Sequence, residues 1–232
     1  MGFVRTDGQE RVPRATPAKG SGTQGPVRPA RAGAPATSRS TWGTDGRAAR
    51  GEQTRRLLAE ALVGLVDAGA PTPTARQVAS WAGVSTRTVF HHYRGTDGLV
   101  AAALSLQYER HRGLLFPIPP RGPPALRVRA LCRQRRLYFE ELTPVYRLAL
   151  ARVDAGAALA RLLAEDRARL RRQLADTLAP EFVARGRDSG ALLDALDQST
   201  GWEAWRALRD VRHLTAAAAE RAMAFTAGRL LG

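Results

Sequence analysis

The segment from Glu52 to Leu106 is punctuated so closely that only short helices fit between its stops, and this constrains the fold more than any other feature. Leu57, Leu58, Ala61, Leu62, Leu65 and Val66 recur with the period of one helical face, and Gly69 stands where such a helix ends. Pro71 and Pro73 bar helix from the next stretch, and Thr74 with Gln77 reads as a capping box. A helix over 75–82 follows and stops at Gly83. Ser85 is then expected to cap a helix over 86–93, with Val84 placed to staple onto Val89. Arg94-Gly95 breaks the chain, and Thr96 is expected to cap a fourth helix whose apolar line is Leu99, Ala103 and Leu106.

Prolines at 117, 119, 120, 123 and 124 exclude regular structure there and predict a surface loop. Beyond it the spacing predicts helices over 125–140, 143–152, 155–178, 189–209 and 215–231. Glu165/Arg169 and Arg172/Asp176, each four apart, are expected to pair along one of them. Strand alternation is missing throughout, so the fold is expected to be all-α. Residues 1–50 hold 8 Gly and 5 Pro and show no apolar period, which reads as a disordered basic arm. The expected organisation is therefore that arm, a compact three-helix domain over 51–95, and a larger helical domain over 96–232.

Lys and Arg number 36 against 21 Asp and Glu, a net charge of +15, and Lys19 is the only lysine. The excess is concentrated: nine basic against three acidic residues in 1–50, and nine against three again in 101–150. Such a surplus points to polyanions, most simply nucleic acid or an anionic membrane face. The arm either adds nonspecific attraction to DNA or is a solvated leader. A single cysteine, Cys132, rules out an internal disulfide scaffold and is expected to pack inside a helix. No apolar run is long enough for a membrane span or a signal peptide, so a soluble, cytoplasmic protein without membrane contacts is expected.

Two short helices joined by a turn at Gly83 form a helix-turn-helix arrangement. Its second helix can lie in a major groove of double-stranded DNA with first-turn side chains at the base edges. Thr86, Arg87 and Thr88 are expected to be exposed donors there, and Arg87 is long enough for a bidentate contact to guanine. Val78, Ala79, Trp81, Ala82, Val84 and Val89 supply the apolar side, with Trp81 expected to be a core ring.

Residues 54–100, TRRLLAEALVGLVDAGAPTPTARQVASWAGVSTRTVFHHYRGTDGLV, resemble the N-terminal DNA-binding domain of the TetR family of transcriptional regulators. The resemblance rests on Gly69, Thr74, Val78-Ala79, Ala82-Gly83-Val84-Ser85, Thr88-Val89-Phe90, His92-Tyr93 and Leu99. It implies a homodimer that reads a near-palindromic operator, a small-molecule effector held in the C-terminal helices, and repression as the outcome. The DNA-contacting set is then Thr74, Ser85, Thr86, Arg87, Thr88, Phe90, His91, His92 and Arg94. The chain departs from the family where Arg87 replaces a frequent glycine, Phe90 a frequent tyrosine and Thr96 a frequent lysine. Phe90 is left an apolar contact such as a thymine methyl, and Arg94 is placed to supply the missing cation.

In the C-terminal part, Leu131, Tyr138, Phe139, Tyr146 and Leu163 are the candidate ligand-pocket residues, and Leu192, Leu196, Met223, Phe225 and Leu230 the candidate dimer-interface residues. Trp202 and Trp205, one turn apart with Arg209 following, either line a pocket and stack a cation or serve as core anchors, the second being the better account. The arginines at 127, 129, 133, 135 and 136 either bind an acidic effector or form a solvated face. Nothing suggests a cofactor. His91 and His92 lack partners at metal-ligand spacing, so no metal is expected, and no catalytic signature supports an enzyme. The competing function is an architectural, nonspecific DNA-binding protein that relies on its basic arm.

Overall fold

A computed structural model describes residues 42–232, apart from 153 and 155. Among these residues every regular element is a helix. In order they are α1 (Trp42–Asp67), α2 (Ala75–Trp81), α3 (Thr86–His92), α4 (Thr96–His111), α5 (Pro124–Leu150), α6 (Ala157–Thr177), α7 (Ala179–Arg185), α8 (Ser189–Thr200), α9 (Trp202–Arg206) and α10 (Ala216–Leu231). No helix among the described residues is long and apolar enough to cross a membrane. The first helix begins at Trp42, ten residues before the expected start, inside the stretch read as a disordered arm. The rest of that stretch, 1–41, lies outside the described residues.

Leu58, Leu62 and Val66 of α1 meet Val78 of α2, Val89 of α3 and Leu99 of α4 in one core. Helix α4 runs between α1 on one side and α5 and α6 on the other, so residues 42–232 carry a continuous apolar interior through Leu104, Leu131, Leu142, Leu163 and Leu174. The proline-rich segment 117–123 is irregular, as its composition demands.

Three boundaries differ from those expected. Helix α5 runs unbroken through Pro144, since its missing N–H forfeits one hydrogen bond in a helix clamped along its length by α4 and α10. Between the helices expected over 155–178 and 189–209 lies α7, which opens at Pro180 because a proline in the first turn has no intrahelical N–H to lose. The helix expected over 189–209 breaks at Gly201, where a Cβ would lie 2.8 Å from the Asp197 carbonyl oxygen, and a π-turn follows at Ala207–Val211.

The buried polar groups organise the bundle. Arg135 is fully buried: its Nη1 donates to the Thr200 carbonyl at 2.9 Å and to Thr200 Oγ1 at 2.6 Å, and its Nη2 to the Leu170 carbonyl at 2.7 Å. It satisfies the free carbonyl at the C-terminus of α8, and burial pushes its guanidinium down to about 10. Arg127, also buried, makes a bidentate pair with Glu181 at 2.5 and 2.8 Å and donates to the Thr177 carbonyl. Arg136 bridges Glu220 of α10 and Glu140. Three of the five arginines expected on a solvated or ligand-binding face are thus bundle ties, while Arg129 and Arg133 are exposed. Neither expected pair on α6 forms: Glu165 pairs with Arg161, and Arg169 lies over the Tyr108 ring. Cys132 is buried among apolar side chains, and burial pushes its thiol up to about 12.

Candidate nucleic-acid interface

Local hydrogen bonds fix α2 and α3 before any tertiary contact is counted. Thr74 Oγ1 accepts from the Gln77 N–H at 3.3 Å, and the Gln77 side chain accepts from the Thr74 N–H at 2.8 Å, a complete capping box. At the far end of α2 the Gly83 N–H donates to the Ser80 carbonyl and the Val84 N–H to the Ala79 carbonyl. This paired closure needs a left-handed residue, and Gly83 has φ +68°. Ser85 Oγ accepts from the Thr88 N–H at 3.1 Å and lies 2.9 Å from Thr88 Oγ1. The end of α3 is tied to α1 where the Tyr93 hydroxyl donates to the Arg55 carbonyl at 2.9 Å. Thr96, expected to cap α4, is instead its first helical residue, with Gly95 in the cap position and no side-chain cap bond.

On α3 the apolar anchor is Val89, followed by Tyr93, both buried. Arg87, Phe90 and His91 are exposed at intervals of three and one residues on α3, which lays them on one stripe, and Arg94 is exposed two residues beyond the end of the helix, past an extended Tyr93. Phe90 keeps 57% of its surface in water, an unfavourable exposure for a large apolar ring. The segment 86–95 contains no acidic residue, so nothing on it opposes an approaching polyanion.

The other expected contact residues are placed differently. The Thr74 hydroxyl is exposed but engaged in its capping box, and the Ser85 and Thr88 hydroxyls bond one another. Thr86 is half-buried. His92 turns from the stripe into a cleft of about 420 Å³ beside Arg55 and Ser105, where burial, then His91 and Arg55, hold its imidazole below the usual histidine range. Trp81, expected in the core, is 55% exposed and lays its indole across Gly64 of α1. Arg76, not among the expected contacts, is exposed on the first turn of α2 next to its capped start.

The expected ligand-pocket residues are interior. Leu131, Tyr138, Phe139, Tyr146 and Leu163 are all buried, and the Tyr138 hydroxyl donates to Asp166 Oδ1 at 2.5 Å. Phe139 and Tyr146 stack with Trp202, and Phe139 with Trp205, so both tryptophans are core anchors whose edges border a cleft of about 500 Å³. Arg209 lies over the Trp205 ring. Of the expected interface residues, Leu192, Leu196 and Met223 are buried in the chain's own core, Leu230 is half-buried and Phe225 is 71% exposed.

No protein-family profile and no curated protein matches this sequence. Solved structures do. A transcriptional regulator from Rhodococcus sp. Rha1 superposes with a TM-score of 0.59 at 22% identity, over 76% of this chain and 95% of that one. A TetR-family transcriptional regulator from Streptomyces coelicolor superposes with a TM-score of 0.58 at 19% identity, over 77% of this chain and 80% of that one. The fold is that of these regulators.

Proposed function

We propose that the chain is a sequence-specific DNA-binding transcriptional regulator of the TetR type. The stripe of Arg87, Phe90 and His91, with Arg94 just past its end, carries the reading: it is exposed, free of acid and borne by a helix capped at its start and pinned just beyond its end. A helix held this way can enter a major groove without losing further conformational freedom. Arg87 reads a guanine edge, Phe90 packs on a thymine methyl, and Arg94 takes a phosphate. Two copies are needed for two adjacent grooves about 34 Å apart. Exposed Phe225 on the alanine-rich α10 offers an apolar surface for pairing with a second copy. A small-molecule effector bound in the α4–α10 bundle sets the spacing of the two α3 helices, and repression is the expected outcome.

Selection of genomic fragments by the purified protein at physiological salt tests this, because it reads motif symmetry and half-site spacing together. A palindromic motif is expected. Arg87→Ala should relax discrimination by about 1–3 kcal/mol at one base position, whereas Arg94→Ala should weaken all duplexes alike and reduce the salt slope by about one. Enrichment of no motif, or loss of all binding on removal of residues 1–41, overturns the reading in favour of an architectural protein.

A further inference from the structure

Arg169 and Arg172 have no carboxylate within ion-pair reach among the described residues, although Glu165 and Asp176 stand four positions away from them. Both line a cleft of about 270 Å³ between α6 and the segment 115–118. Leu115, Pro117 and Ile118 give it an apolar roof. On the α6 side Gln173 donates through Nε2 to Gln134 at 2.6 Å, while its Oε1 is buried with no partner. The Thr177 hydroxyl is already spent on the Gln173 carbonyl. Asp176 is the one carboxylate in the lining, and the charge of buried Asp166 reaches Arg169 from behind it.

The geometry points to this cleft as the binding site for a small organic monocarboxylate with a short apolar body. The carboxylate lies between Arg169 and Arg172, where planar guanidiniums match it fork to fork. The body lies under Leu115, Pro117 and Ile118. Asp176 disfavours a dianion such as phosphate. Arg169 also lies 5.8 Å over the ring of Tyr108, a residue of α4, the helix that packs against α1 behind the candidate interface. A carboxylate that draws Arg169 away from Tyr108 therefore has a route to α4. This inference rests on the regulator reading only for that consequence; the binding site stands without it.

The test is calorimetric titration and thermal melting of the full chain with octanoate and phenylacetate, using octanamide and phenylacetamide as neutral counterparts. The acids should bind and raise Tm, and the amides should bind at least about tenfold more weakly. Arg169→Gln and Arg172→Gln should each weaken the acids by about tenfold or more. Arg161→Gln, elsewhere on α6, should not. Exposed Arg172 makes its variant safe for folding, and circular dichroism checks it. Failure of either acid to bind at millimolar concentration, equal binding of amides, or wild-type binding by the arginine variants overturns the site. Acid binding that leaves affinity for selected DNA fragments unchanged overturns the route through α4. Acid binding by a protein that selects no DNA motif supports the site and sinks the regulator reading alone.

Discussion

The pair α2–α3 and the bundle α5–α10 are both helical and both rich in arginine, yet they are held by interactions of different range. In the helix-turn-helix the bonds that cap and close the two helices join residues three to five apart, Thr74 with Gln77, Ala79 with Val84 and Ser85 with Thr88, and one longer tie runs from Tyr93 to Arg55. Its arginines, Arg76, Arg87 and Arg94, stay in water. In the bundle Arg127, Arg135 and Arg136 reach partners 54, 65 and 84 positions away, and two of the three are buried. The same side chain is a free contact in one region and an internal tie in the other. Whether it meets water or a distant carbonyl decides which.

Substitutions can break or sharpen that contrast. Arg135→Ala should destabilise most, by about 3–5 kcal/mol in chemical denaturation, because it leaves the Thr200 and Leu170 carbonyls without their buried donor and opens a cavity. A cost below about 1 kcal/mol would mean that the long-range ties do not organise the bundle. Glu181→Gln should cost about 1–3 kcal/mol at neutral pH by weakening the partner of buried Arg127. Its loss should depend on pH with a definite sign. Hydrogen bonding from Arg127 holds the Glu181 carboxyl below the usual carboxylate range. The pair therefore contributes fully above the unfolded carboxyl's value and fades as pH falls through the folded one. Stability curves of wild type and variant should converge under acid; parallel curves would remove the pair from the account.

On the short-range side, Ser85→Ala should cost about 1 kcal/mol in stability, since one cap bond is lost, and should also weaken DNA binding by loosening the start of α3. Unchanged binding would detach the cap from the proposed contact surface. The smallest effect is expected at Trp81→Ala. An indole lying exposed over Gly64 should cost under about 1 kcal/mol, against the 3–5 kcal/mol expected of a core tryptophan. A core-sized loss in thermal or denaturant unfolding would restore the ring to the interior.

The helix-turn-helix was legible because each of its decisions is made locally. A hydroxyl before a helix, a glutamine three residues on and a glycine at a left-handed position need no knowledge of the rest of the chain. Trp81 escaped that reading because exposure is not a local property: the ring lies across the surface of α1 over Gly64. His92 likewise shares a helix with the exposed stripe but turns toward Arg55. In the bundle, the pairs expected four apart on α6 lost to Arg161 and to the Tyr108 ring, since surface pairs are worth only about 0.2–0.5 kcal/mol and yield to small competing contacts. Leu192, Leu196 and Met223 carry the apolar pattern of an interface, and a pattern cannot say whether the covering surface is the chain's own or a partner's.

Period and punctuation alone determined that this chain is helical, and where α2 and α3 start and stop. Backbone capping and left-handed turns are settled within about one helical turn, so the order of residues suffices. Only the tertiary structure decided which arginines are ties, which tryptophan is outside and which clefts remain open. Those outcomes depend on what each side chain meets from elements many tens of positions away, and burial converts a favourable solvated charge into one that must find a partner.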